Sequence, residues 1–115
     1  MTSEPTSQSP VPSDDVVVRD HEAAHRFEVL VGDEVAGFLK YRAVDGPLHA
    51  FDHTEVQPRF EGRGLAARLA TEALDAARDR GWTVLPYCPY VRAYLDRHPD
   101  YVDLVPADRR AEFGL

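Results

Sequence analysis

The spacing of apolar residues changes midway along this chain. In HRFEVLVGDEVAGFLKYRAVDGPLHAF the spacing is two: Phe27, Val29 and Val31 alternate with Arg26, Glu28 and Leu30, as in a strand with one buried face. Gly32 to Glu34 supply a tight turn, Val35 to Ala43 a second strand, and Asp45 to Pro47 another turn. Leu48 to Val56 read as a third extended run, ended by Pro58, which has no N–H for a ladder. The period then lengthens to about 3.6. Leu65, Leu69, Ala70, Ala73, Leu74 and Ala77 form one stripe, with Arg68, Glu72, Asp75 and Asp79 on the other side. This predicts a helix from about Gly64 to Arg80, stopped by Gly81 as a left-handed cap. Trp82 to Tyr87 follow as a short buried strand and Pro89 to His98 as a shorter helix, ended by Pro99. Tyr101 to Val105 fit a last edge strand.

Strand, long helix, strand in that order suggests a crossover between two parallel strands. The expected fold class is therefore α+β: an antiparallel meander, then one parallel β-α-β unit in a mixed sheet. A chain of 115 residues supports one domain with a modest core. Residues 1–18 are assigned to a disordered N-terminal tail, because Ser, Thr and Pro dominate Met1 to Asp15 and such a segment buries too little surface to order itself. Residues 19–115 are assigned to the domain, with Val16 to Val18 as the transition into the ordered part of the chain. Phe27, Phe38, Phe51 and Trp82 are read as core.

Charge narrows the function classes. A net charge of -7 and a pI of about 5.1 disfavour a general nucleic-acid binder. No apolar run is long enough for a membrane helix, and the N-terminus lacks the basic and apolar regions of a signal peptide. Cys88 is the one cysteine, which excludes an internal disulfide and a multi-cysteine metal site. A reduced, cytoplasmic setting follows as the expectation. His21 and His25 lie four apart, but no third ligand stands near them, so no metal is expected. Lys40 is the one lysine, the other basic residues being arginine, a bias attributed to coding composition.

The candidate chemistry sits at RFEGRG, Arg59 to Gly64. Two glycines at the start of a helix permit positive φ and clear side chains from the first helical amides. Those amides and the helix dipole suit a phosphate, with Arg59 and Arg63 adding charge. The turn is neither a Walker A loop nor a complete G-x-G-x-x-G. On RFEGRG alone, a tight turn needing glycine only for packing is an equal alternative.

RFEGRG also satisfies [RQ]-x-x-G-x-[GA], and within V-x-P-x-x-x-G-x-G-L-A before a long amphipathic helix it resembles the acetyl-CoA motif of GNAT-type N-acetyltransferases. HTEVQP (His53 to Pro58) and CPYV (Cys88 to Val91) resemble the flanking blocks of a small single-lobe branch of that superfamily. The resemblance covers about residues 25 to 105. Glu61 departs from it, since many relatives carry a basic residue just before the first glycine. The resemblance implies a GNAT-like sheet splayed between Leu48–Val56 and Thr83–Tyr87. Acetyl-CoA, as co-substrate, would lie against Thr54 and Val56, its diphosphate over Arg59, Phe60, Gly62, Arg63, Gly64 and Leu65. It further implies that the thioester lies near Glu55 and Cys88, and that Tyr94 meets the departing thiolate.

Transfer of acetyl to an amine needs removal of the amine proton, a donor for the oxyanion, and in some cases a proton for the leaving thiolate. His53 and Glu55 share one strand face, and either suits the role of base; a half-buried strand histidine and a solvated glutamate are the plain alternatives. Cys88 precedes Pro89 at a helix start, where a thiolate is favoured; a small core residue is the alternative. Packing is the alternative for Tyr94, together with Tyr90 and Leu95. The expected function is acetyl-CoA-dependent N-acetyl transfer to an amine, a small molecule or a protein lysine or N-terminus. A non-catalytic acyl-CoA-binding module is the competing one, and the acceptor and oligomeric state are unreadable.

Overall fold

The computed structural model describes residues 15–115. Its elements are β1 (Val16–His21), β2 (Arg26–Val31), β3 (Glu34–Asp45), β4 (Leu48–Val56), α1 (Leu65–Arg80), β5 (Thr83–Pro86) and α2 (Pro89–Arg97). One sheet runs in the order β1-β2-β3-β4-β5. The first three pairings are antiparallel and β4–β5 is parallel, so α1 is the crossover. The α+β meander with a parallel β-α-β unit is thus as expected.

Residues 1–14, most of the expected tail, lie outside the described residues. Its boundary moves, however. Val16, Val17 and Val18 pair with Val31, Leu30 and Val29 and so belong to β1. Three β-branched residues in a row favour an extended chain, and β2 offers the partner. Between β1 and β2 a 3-10 turn spans Glu22–Ala24, and His25 adopts a left-handed φ of 55°. His21 therefore ends a strand, and no helical turn pairs it with His25.

α1 buries the stripe named from the sequence: Leu65, Leu69, Ala70, Ala73, Leu74 and Ala77. The stripe meets Phe27, Val29, Leu39 and Phe51 in one core. At ~25 cal/mol per Å² of apolar surface removed from water, this contact holds the crossover to the sheet. α2 packs on β4, β5 and α1. Beyond it the chain forms 3-10 turns at Pro99–Leu104, Ala107–Arg109 and Ala111–Phe113. Tyr101 to Val105 is therefore no edge strand. Leu104 and Val105 are buried side by side, which strand alternation forbids, and Pro99 starts the first turn. Tyr101 donates to Asp75 at 2.7 Å and Arg78 to Asp103 at 2.9 Å, strapping this segment to α1.

Two residues read as core are only half-buried. Phe38 faces the open side of the sheet, beneath the Arg26 guanidinium at 4.7 Å. Trp82 stacks on His49 at 3.6 Å near the start of β5.

The open side of β1 to β4 is arranged in two cross-strand rows, Arg19-Glu28-Phe38-Glu55 and His21-Arg26-Lys40-His53. Glu28 is 1% exposed. One carboxylate oxygen accepts from Arg19 at 2.9 Å, the other from Arg26 at 2.8 Å with His21 at 3.1 Å. Burial raises its pKa, but the hydrogen bonds from His21, Arg26 and Arg19 outweigh it and hold the carboxyl down from 4.5 to about 2. A depressed carboxyl stabilises the fold above its unfolded pKa, and that share is lost as the pH falls through the folded value. Glu28→Gln is expected to cost about 1–3 kcal/mol at neutral pH. In urea titrations the gap between variant and parent should close from about pH 5 to pH 2.

Candidate active site

After Val56 the chain makes a 3-10 turn at Pro58–Phe60 and enters α1 through Gly62, φ 83°, and Gly64, φ 74°. Gly64 is the N-cap, and no side chain caps the helix. A Cβ at either glycine would meet nothing within 4 Å. The glycines therefore serve the left-handed backbone and an open concavity, which removes packing as their reason. The first amides of α1 are left as unpaired donors at the positive end of its dipole, and no acidic residue stands in its first turn. This arrangement suits an anion.

A cleft of about 270 Å³ opens there, lined by Thr54, Val56, Phe60, Glu61, Gly62, Gly64, Leu65, Ala66, Ala67 and Tyr90. Six of the eight residues expected to hold a cofactor thus come together. Arg59 and Arg63 are not in the lining. Both guanidiniums lie over the buried Phe60 ring, at 4.5 and 5.3 Å, and Arg59 pairs with Glu34. Glu61 does line the cleft.

One wall of the cleft exists because the parallel ladder is short. β4 and β5 pair from Leu48↔Thr83 to Phe51↔Pro86, and β4 then continues to Val56 without β5. The amide of Cys88 donates to the Phe51 carbonyl at 2.9 Å as the last tie. Pro89 then turns the chain into α2, with Cys88 as N-cap. Thr54 and Cys88 face each other where the strands part, Oγ1 to Sγ 3.3 Å, and Cys88 is 2% exposed.

His53 and Glu55 pair with each other at 3.1 Å and are exposed. A bulge sets their direction. Lys40 pairs with His53 and Tyr41 with Phe51, so Asp52 is the extra residue on β4. It shifts the alternation: Phe51, Thr54 and Val56 face the helix side, and His53 and Glu55 face the open side. Beside them a depression of about 240 Å³ is lined by Arg26, Val35, Gly37, Phe38, Glu55 and Gln57. The candidate bases and the glycine cleft thus lie on opposite sides of β4.

Tyr94 stands apart from the cleft lining. It is 5% exposed, its hydroxyl bonds to Thr71 of α1, and its ring stacks on His98 at 4.1 Å. Tyr90, one turn earlier, lines the cleft; in the sequence it figures only in the packing alternative for Tyr94. The signal available was position, since Tyr90 lies in the first turn of α2, two residues after Cys88. Ala66 and Ala67 were also missed; their small side chains leave the first turn of α1 accessible. Tyr94→Phe is expected to lower stability by about 0.5–1.5 kcal/mol through the lost bond to Thr71, read as a shift in the urea midpoint with no change in slope.

The comparisons with known proteins agree with this geometry. The profile of the GCN5-related N-acetyl-transferase family matches residues 26–104. Protein NATD1 of Xenopus tropicalis is 30% identical over 89 residues, covering 76% of this chain and 82% of that protein. The solution structure of a GCN5-like protein from Staphylococcus aureus superposes with a TM-score of 0.62 at 20% identity, covering 80% of this chain and 89% of the other; it supports the fold. Since the family match takes in β2 to β4, the glycine turn, the crossover and α2, this chain belongs to the GCN5-related N-acetyltransferase family.

Proposed function

We propose that this protein transfers an acetyl group from acetyl-CoA directly to an amine. The observation that carries the reading is the early end of the β4–β5 ladder at Phe51–Pro86 beside the uncapped start of α1. An extended arm finds unpaired strand edge along Thr54 to Val56, and a diphosphate finds amide donors at Gly62 to Leu65. Acetyl-CoA, when bound, supplies an acetyl group already activated as a thioester.

The chain's own groups account for the rest. An amine approaching from the open side meets Glu55, His53 and the ring of Phe38 around the depression. The His53–Glu55 pair takes the amine proton, and either member is within reach of a base's task. Thr54 and Cys88 touch where β4 and β5 part, and separation of the two there would bring the reacting carbonyl to the amine away from bulk water. Tyr90, on the cleft wall, is better placed than Tyr94 to meet the departing sulfur.

The test follows free thiol release from acetyl-CoA in the presence of an amine panel. Amine-dependent release supports the proposal. If coenzyme A binds and no amine speeds release, the chain is the binding module without turnover. Gly62→Asp is expected to weaken coenzyme A binding by tenfold or more, ~1.4 kcal/mol per decade, through like-charge repulsion against the diphosphate. Its folding stability should also fall, by about 1–2 kcal/mol, because an L side chain at the left-handed φ of 83° is strained even in open space, so binding is compared on folded protein. Cys88→Ala is expected to lower turnover more than coenzyme A affinity, which calorimetry and steady-state rates together resolve; equal rates reduce Cys88 to packing.

A further inference from the structure

From the open face of the sheet we infer that Lys40 is an internal acetyl acceptor of this protein. The inference rests on the transfer activity proposed above. Lys40 is the only lysine in the chain. It lies directly across the β3–β4 ladder from His53, on the same face as the His53–Glu55 pair. Directly opposed residues have Cβ atoms about 4.5–5.5 Å apart. A flexible four-carbon stem is long enough to cross the spacing of ~4.8 Å to β4.

The neighbours of Lys40 are accounted for in a way that Lys40 is not. Arg19, His21 and Arg26 are bound to Glu28, Arg42 to Asp52, and His53 to Glu55. Among the described residues no ion pair holds Lys40, which is exposed. Arginine in its place would stay charged and non-nucleophilic, whereas a lysine amine becomes a nucleophile on losing its proton. The sole nucleophilic amine among the side chains thus stands beside the groups assigned to deprotonate an acceptor.

The step balances. The Lys40 ammonium gives one proton to the His53–Glu55 pair. Its lone pair adds to the thioester carbonyl, a C–N bond forms, and the C–S bond breaks. The nitrogen's second proton passes to the departing sulfur, so coenzyme A leaves as the thiol and Lys40 is left as a neutral amide.

The experiment incubates the full chain with acetyl-CoA without added amine and follows intact mass and peptide maps, with calorimetry of coenzyme A binding alongside. The expected result is one acetyl group per chain, on Lys40 and stable to hydroxylamine, as an amide is and a thioester on Cys88 is not. It should also appear as an acidic isoelectric shift. Lys40→Arg should lose it while keeping coenzyme A affinity. His53→Ala should slow it at least tenfold, and urea-unfolded chain should not acquire it. The rate per molecule should be unchanged on dilution, as for an internal reaction.

Equal labelling of folded and unfolded chain overturns the inference, as does acetyl located elsewhere, or a rate proportional to protein concentration. Coenzyme A binding with no acetyl on Lys40 overturns it too and leaves the parent reading standing. Absence of binding removes the parent reading and this inference together.

Discussion

The structure depends on how far β4 and β5 run together. Four residue pairs hold them, from Leu48↔Thr83 to Phe51↔Pro86. Pro86 has no N–H to extend the ladder, and Cys88 uses its own on Phe51 before Pro89 starts α2. Two prolines and one amide thus bring β5 to an end while β4 continues to Val56. β4 is then paired on one side only, by β3. An unpaired strand edge is a template for another extended chain. The glycine turn ends the same edge, so that edge and the free amides of α1 open into one cleft.

The bulge at Asp52 divides the labour of β4 between two sides. In a regular strand Phe51, His53 and Glu55 would share a face. One extra residue puts Phe51 in the core with Tyr41, and turns His53 and Glu55 outward beside Phe38 and Lys40. Gly37 keeps β3 close at this level, since a Cβ there would stand 2.5 Å from the Glu55 carbonyl oxygen. The outward face carries its charges in matched sets around Glu28, Asp52 and Glu55. In a chain of net charge -7, one arginine, Arg26, thus lines the depression together with Phe38 and Glu55.

Local chemistry made much of this legible. β4 was bounded correctly at Leu48 and Val56 because turn residues precede it and Pro58 follows within two positions. The six buried residues of α1 were named one by one, since a helix between two glycine caps leaves little choice of face. Long-range pairing hid the rest. Arg59 looked like a phosphate ligand, yet Glu34, 25 positions earlier, engages it. Tyr94 looked like the cleft tyrosine, yet Thr71 on the other helix receives its hydroxyl. Tyr101 to Val105 looked extended, yet Asp75 and Arg78 draw the segment into 3-10 turns against α1.

The sequence by itself determined the order from β2 to α2, the buried stripe of α1 and the glycine entry to it, because periodicity, proline and glycine act within a few residues of themselves. Only the tertiary structure decided where β4 parts from β5, that Asp52 reverses the direction of His53 and Glu55, and that Lys40 comes to lie across from His53. Each of these is a matter of register between strands, and register is set by the fit of whole faces to one another, which no single segment contains.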